Sequence, residues 1–242
     1  AQIRMNMVTI LIQSGIIIAS FPIFYVTGIP LSPLAMVFGI VMAIAGSRVN
    51  RLMPVDFGHL TERVMLYVVF TFGEMIIGIT DYFEGDFGFN TIYFSVCAFL
   101  IVAGLFVSYG MMYDHLIDRE MSSNGTPYMM IHVFLILSLN HITAAMEFMR
   151  EEEVDAFSKN IFIVASFALY YLCCFILMRY NKQECQPTKR FSLLLFGGMA
   201  TFALAMLCLY RYPWVSIAVT VAYIWIVPVE FSRLMKSGRG AA

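Results

Sequence analysis

Stretches of about twenty consecutive apolar residues recur along this chain, and no other feature limits its folding so sharply. A run of that length, coiled at about 1.5 Å per residue, is about 30 Å long and matches the hydrocarbon core of a bilayer. Composition agrees: 60% of the residues are hydrophobic, 13% are charged and the mean hydropathy is +0.80, against about 25% charged in a soluble domain. The expected fold is all-α, a polytopic transmembrane helix bundle with about eight spans (seven to eight), forming one domain over residues 1–242. The spans fall near 5–28, 31–47, 60–82, 91–114, 127–149, 158–180, 191–210 and 213–235. Pro30, Pro33 and Gly46 crowd the second, for which a re-entrant or interfacial segment is the alternative. The first run has no small-residue cleavage site and is long enough to span, so it does not read as a signal peptide. The chain begins at Ala1 without a Met, which suggests a fragment or a processed chain.

Charge sets the expected orientation. An even number of spans puts both termini on one side, with Arg4, Arg48, Arg51, Arg63, Arg119, Arg179, Lys182, Lys189, Arg190, Arg233, Lys236 and Arg239. Only Arg150, Lys159 and Arg211 fall opposite, a bias of twelve to three. Positive loops stay inside, so both ends are expected to be cytoplasmic and the location a plasma (inner) membrane. The opposite loops are acidic, with Asp81, Glu84 and Asp86 in one and Glu151, Glu152, Glu153 and Asp155 in another, which reads as a solvated face. A net charge of −1 without a Lys/Arg tract gives no ground for a nucleic-acid partner. Cys97, Cys173, Cys174, Cys185 and Cys208 lack metal or redox spacing and read as small hydrophobes. No cofactor is expected.

The third span, HLTERVMLYVVFTFGE at 59–74, carries the strongest chemical signal. Asp56 suits the N-cap, and Glu62 suits the first turn beside the helix dipole. Glu74 lies near lipid depth, where a carboxylate costs about 2.5 kcal/mol or more. Arg63 and Glu74 share a face about 16 Å apart, and Gly73 admits a close neighbour. The fifth span, 127–148, carries His132, Ser138, Asn140, His141 and Glu147. Asn140 and His141 match Glu74 in depth, so a contact from Glu74 to one of them is expected, as a polar clamp or as a protonatable pair. A second cluster, His59, Glu62, Arg63, Asp114, His115 and Asp118, is expected at the cytoplasmic face. It reads first as an ion-pair network and only distantly as a metal site, because no H-E-x-x-H is present. Gly104 with Ser108, and Gly197 with Thr201 and Ala205, are small-residue faces for helix contact within one chain or in an oligomer. Tyr210, Tyr212 and Trp214 read as an interfacial belt, and Pro228 and Glu230 as structural interruptions of the last span.

Taken together, HLTER…GE at 59–74, YDHLIDRE at 113–120 and PYMMIHVFL…ME at 127–147 resemble the bacterial low-temperature-requirement protein A family. The resemblance implies a multi-helix membrane protein associated by name with growth in the cold. It marks His59, Glu62, Arg63, Gly73, Glu74, Asp114, His132 and Glu147 as typical and assigns none of them a role. Family members begin with further helices bearing a Phe-Phe-Asp-Leu-Val-type motif. That segment is not seen, which implies that this chain lacks the family's first portion and any site completed by its Asp.

Three functions compete on this reading. The first is a transporter or channel for a proton, an ion or a small solute, built on Glu74, His132, Asn140 and His141. The second is a non-catalytic membrane protein supporting growth at low temperature. The distant third is an intramembrane metal-dependent hydrolase using His59, Glu62, Asp114 and His115. No catalytic motif is present, and an enzyme is not expected.

Overall fold

The computed structural model describes residues 2–29, 31–50, 55–80, 88–123, 125–149 and 154–239. Pro30, Arg51, Asp81, Glu84, Asp86, Arg150 and Glu151 to Glu153 lie outside them, as do the side chains of Arg4, Arg48 and Arg239. Eight helices follow in order: α1 (Gln2–Thr27), α2 (Ser32–Asn50), α3 (Phe57–Thr80), α4 (Phe89–Met111), α5 (Thr126–Phe148), α6 (Ala156–Leu177), α7 (Lys189–Cys208) and α8 (Pro213–Arg239). Each coincides with an expected span to within a few residues. Among the described residues seven are long and apolar enough to cross a membrane, whereas in α2 the apolar stretch is the shorter Pro33–Met42. The fold class is therefore an all-α polytopic bundle. Helices are the answer to hydrocarbon because they satisfy every backbone group internally.

Helix starts obey local chemistry. Asp56 accepts the His59 N–H at 3.1 Å, Asp155 accepts that of Ser158 at 3.0 Å, and Thr188 accepts that of Phe191 at 3.2 Å. Each side chain satisfies one of the donors that a helix N-terminus leaves open. The end of α4 is different. It widens into a π turn, Met112–Leu116, and the chain then forms an antiparallel bridge between Ile117 and Asn181. Lys182 N–H donates to the Leu116 carbonyl and Asp118 N–H to that of Tyr180, both at 2.8 Å. The segments after α4 and after α6 are thereby tied together.

The chain divides into two compact units, residues 1–60 with 122–130, and residues 61–121 with 131–242. In the first, α1 and α2 pack on each other. A Cβ on Gly39 of α2 would lie 2.7 Å from the Gln13 amide nitrogen, so glycine permits this crossing. Phe21 and Tyr25 of α1 are 74% and 92% exposed, as suits side chains that face lipid.

In the second unit α8 packs against both α4 and α7, and α6 against α7. Gly104 makes the α4–α8 contact. An added Cβ there would run into Ile224 and lie 3.3 Å from the Trp225 indole nitrogen. Trp225 Nε1–H donates to the Leu100 carbonyl across the same seam at 3.1 Å, and Asn160 Nδ2 ties α6 to α7 through the Met206 carbonyl, also at 3.1 Å. Trp214 lies among Tyr93 and Phe94, with ring centroids 4.6 and 5.3 Å away. The core is Ile101, Leu105, Leu139, Phe167, Met206 and Ile224, each no more than 2% exposed.

Gly104→Ala is expected to destabilise the folded protein by about 1–3 kcal/mol, because overpacking outweighs the gain in helix propensity. Gly110→Ala, where a Cβ meets nothing within 4 Å, is expected to be neutral or slightly stabilising. Unfolding in mild detergent compares the two; equal effects would remove Gly104 from the contact.

Candidate functional site

In a helix interior a buried tyrosine or histidine carries a polar group that hydrocarbon will not solvate, so it needs a protein partner. The second unit gathers several. Tyr109 on α4 is fully buried and His132 on α5 is 2% exposed. Tyr109 Oη and His132 Nε2 are hydrogen-bonded at 3.0 Å, with the direction set by the imidazole tautomer. Their rings meet edge to face, centroids 6.0 Å apart. Tyr170 of α6 donates its hydroxyl to the Leu105 carbonyl at 3.0 Å, the acceptor one helical turn before Tyr109. Tyr171 touches Tyr170 edge-on at 5.1 Å and Tyr223 of α8 at 5.6 Å. The Tyr171 hydroxyl is buried beside the Ser108 side chain, and that of Tyr223 is buried with no hydrogen-bond partner among the described residues. Ser108, also fully buried, donates to the Gly104 carbonyl at 2.8 Å. Four helices thus contribute to one buried polar cluster with unused hydrogen-bonding capacity.

Of the residues expected to form the buried network, only His132 belongs to this cluster. Glu74 is exposed on α3, and among the described residues no hydrogen bond or ion pair joins it to Asn140 or His141. His141 donates its Nδ1–H to the Leu137 carbonyl of its own helix at 2.6 Å and packs on Phe162 at 5.6 Å, so its polar need is met without a carboxylate. Asn140 is exposed. A Cβ on Gly78, one turn beyond Glu74, would touch Thr143, near Asn140 in sequence, at 3.5 Å, so α3 and α5 approach each other at this level.

In the second expected cluster, Glu62, Asp114 and Arg119 all lie within electrostatic reach of the Tyr113 ring. Asp56 and His59 approach at 3.9 Å as neighbours in the first turn of α3. Glu62 and Arg63 are exposed, as are Asp114 and His115. Asp114 pairs with Arg119 at 3.5 Å, and the Arg119 guanidinium lies over the Tyr113 ring at 4.2 Å. Asp118 accepts the Glu120 N–H at 3.1 Å. Among the described residues no group of three His, Cys, Asp or Glu side chains is placed to hold a metal ion. The chemistry available is charge pairing at an aqueous boundary.

Tyr109, Tyr170, Tyr171 and Tyr223 are members that the sequence did not single out, and Ser108 stood out there only as a small residue for helix contact. One signal existed: tyrosines belong at the membrane interface, so Tyr170 and Tyr171 well inside a span are out of place unless their hydroxyls have work.

Fold and cluster together define a polytopic all-α membrane protein with a buried tyrosine–histidine centre. The chain belongs to the bacterial low temperature requirement A protein (LtrA) family, whose model matches residues 1–227 of the 242. No curated protein matches the chain, and no solved structure does.

Tyr109→Phe is expected to cost about 1–3 kcal/mol by taking away a buried partner of His132, while exposed Asn140→Ala stays within about 0.5 kcal/mol. Thermal unfolding of the purified variants checks this. A harmless Tyr109→Phe would show that the bond contributes nothing.

Proposed function

We propose that the protein is a non-enzymatic membrane protein that moves a proton, or an ion or small solute together with one, across the bilayer. The reading is carried by the buried Tyr109–His132 hydrogen bond. Imidazole is the side chain whose charge changes near physiological pH, and ionisable groups inside spans commonly mark proton or ion paths. In this mechanism His132 takes up and releases the proton and Tyr109 holds the ring in one orientation. The Tyr223 hydroxyl, unpartnered among the described residues, supplies a hydrogen bond to a polar guest beyond the pair. The distribution of Lys and Arg supports a plasma-membrane location with both termini cytoplasmic.

A second reading, a purely structural membrane protein supporting growth in the cold, is favoured by a different observation. Most buried hydroxyls are already spent on backbone carbonyls, Ser138 on Leu135 at 2.6 Å and Ser166 on Phe162 at 2.7 Å among them.

Flux separates the two. In proteoliposomes with a trapped pH-sensitive dye, the parent is expected to dissipate an imposed pH gradient, and His132→Gln to slow that dissipation at least tenfold while remaining folded. A parent without flux, or a variant with undiminished flux, refutes the transport reading. The orientation has its own check. A cysteine at Lys189 or Lys236 is expected to label from the cytoplasm only, and one at Arg211 from outside only; the reverse pattern overturns the assigned topology.

A further inference from the structure

Between α7 and α8 lies an apolar groove of about 590 Å3, separate from the Tyr109–His132 pair. Its α7 wall runs from Phe191 to Ala205, about 21 Å at the helical rise. That exceeds half of a hydrocarbon core about 30 Å thick, so the groove follows the depth of one leaflet. Small residues open it. A Cβ on Gly197 would meet nothing within 4 Å, and Thr201 turns its hydroxyl back onto the Gly197 carbonyl at 2.9 Å, so the wall presents little polarity. Tyr223, 7% exposed, lies along the groove with its hydroxyl unpartnered.

One end is charged. The groove shares Phe191 and Glu230 with an adjoining recess lined also by Thr188, Arg190 and Arg233. Arg233 pairs with Glu230 and so neutralises the acid there. Lys189, Arg190 and Lys236 are exposed at the same end of the two helices, and among the described residues none of them pairs with a carboxylate. The α7 N-terminus adds its own partial positive charge. A cationic rim at the interface above an acyl-sized apolar trough matches a lipid with a negatively charged head.

The geometry points to a binding site for an anionic phospholipid, with the phosphate held by Lys189, Arg190 and the first turn of α7 and an acyl chain lying along Gly197, Thr201 and Ala205. Charge selects among lipids, because a zwitterionic head presents no net charge to the rim. The site stands independently of the transport reading.

The test uses the purified full chain in mild detergent with dioleoyl phosphatidylglycerol or dioleoyl phosphatidylcholine, read by native mass spectrometry and by thermal unfolding. Phosphatidylglycerol is expected to be retained at least fivefold more than phosphatidylcholine and to raise Tm, whereas inorganic phosphate alone does not. The double variant Lys189→Gln/Arg190→Gln is expected to bring retention down to the phosphatidylcholine level without changing Tm in the absence of lipid. Gly197→Leu, which fills open space, is expected to reduce retention of both lipids. Equal retention of the two lipids by the parent overturns the proposal, as does a preference that survives the double variant. Protection by phosphate alone does the same. If Gly197→Leu alters oligomeric mass and leaves lipid retention intact, the groove belongs to a second copy of the chain and the proposal falls.

Discussion

A hydroxyl or amide carried into hydrocarbon loses its water, and this chain answers that loss in one recurring way, by returning the group to a backbone carbonyl. Ser95, Ser108, Ser166 and Thr220 each donate to the residue four positions back. These bonds occupy carbonyls already used by the helix, so they add little stability but remove a penalty of several kcal/mol for an unmet group. Where the carbonyl belongs to another helix, the same chemistry becomes architecture. Tyr170 binds α6 to α4, Asn160 binds α6 to α7, and Trp225 binds α8 to α4. In lipid, where apolar contact gives no drive to associate, such bonds and close approaches like Gly104 against Ile224 hold the unit together.

Against that background the Tyr109–His132 pair stands out because it spends side chain on side chain. A carbonyl cannot change its proton count, whereas an imidazole can. Under the proposed transport role the same hydrogen bond would hold the ring in place while the imidazole exchanges its proton. Glu74, by contrast, is an exposed carboxylate on α3.

Depth along each helix was legible in the residues, and rotation about each helix was not. Apolar run length matches the eight helices to within a few residues, seven of them long and apolar enough to span among the described residues, and Asp56 marks a helix start by local rules. The approach of Gly78 to Thr143 sets the part of α3 that carries Glu74 beside the part of α5 that carries Asn140 and His141. Whether two side chains meet depends in addition on which face each helix turns to its neighbour, and the hydrophobic pattern is weak evidence for that when lipid and core are equally apolar. His141 illustrates the difficulty, because a bond to Leu137 satisfies it with no neighbour at all. The tyrosines were missed for a related reason. Phe and Tyr contribute alike to an apolar run, and only packing reveals that Tyr170, Tyr171 and Tyr223 converge.

Tyr223 connects the two regions of interest. Its ring stacks on Phe202 of α7 at 4.7 Å, with planes 11° apart, and meets Tyr171 on its other contact. The same ring lies along the α7–α8 groove. A filled groove and an empty one therefore differ in the packing against a side chain one contact away from the buried cluster. Close-packed interiors transmit such differences, since a rotamer can change only where neighbours make room. On the Gly198 side, a Cβ would lie in ordinary van der Waals contact with the Tyr223 ring, at 3.5 Å. The proposed lipid groove and the buried polar cluster thus share one structural element, the Tyr223 ring.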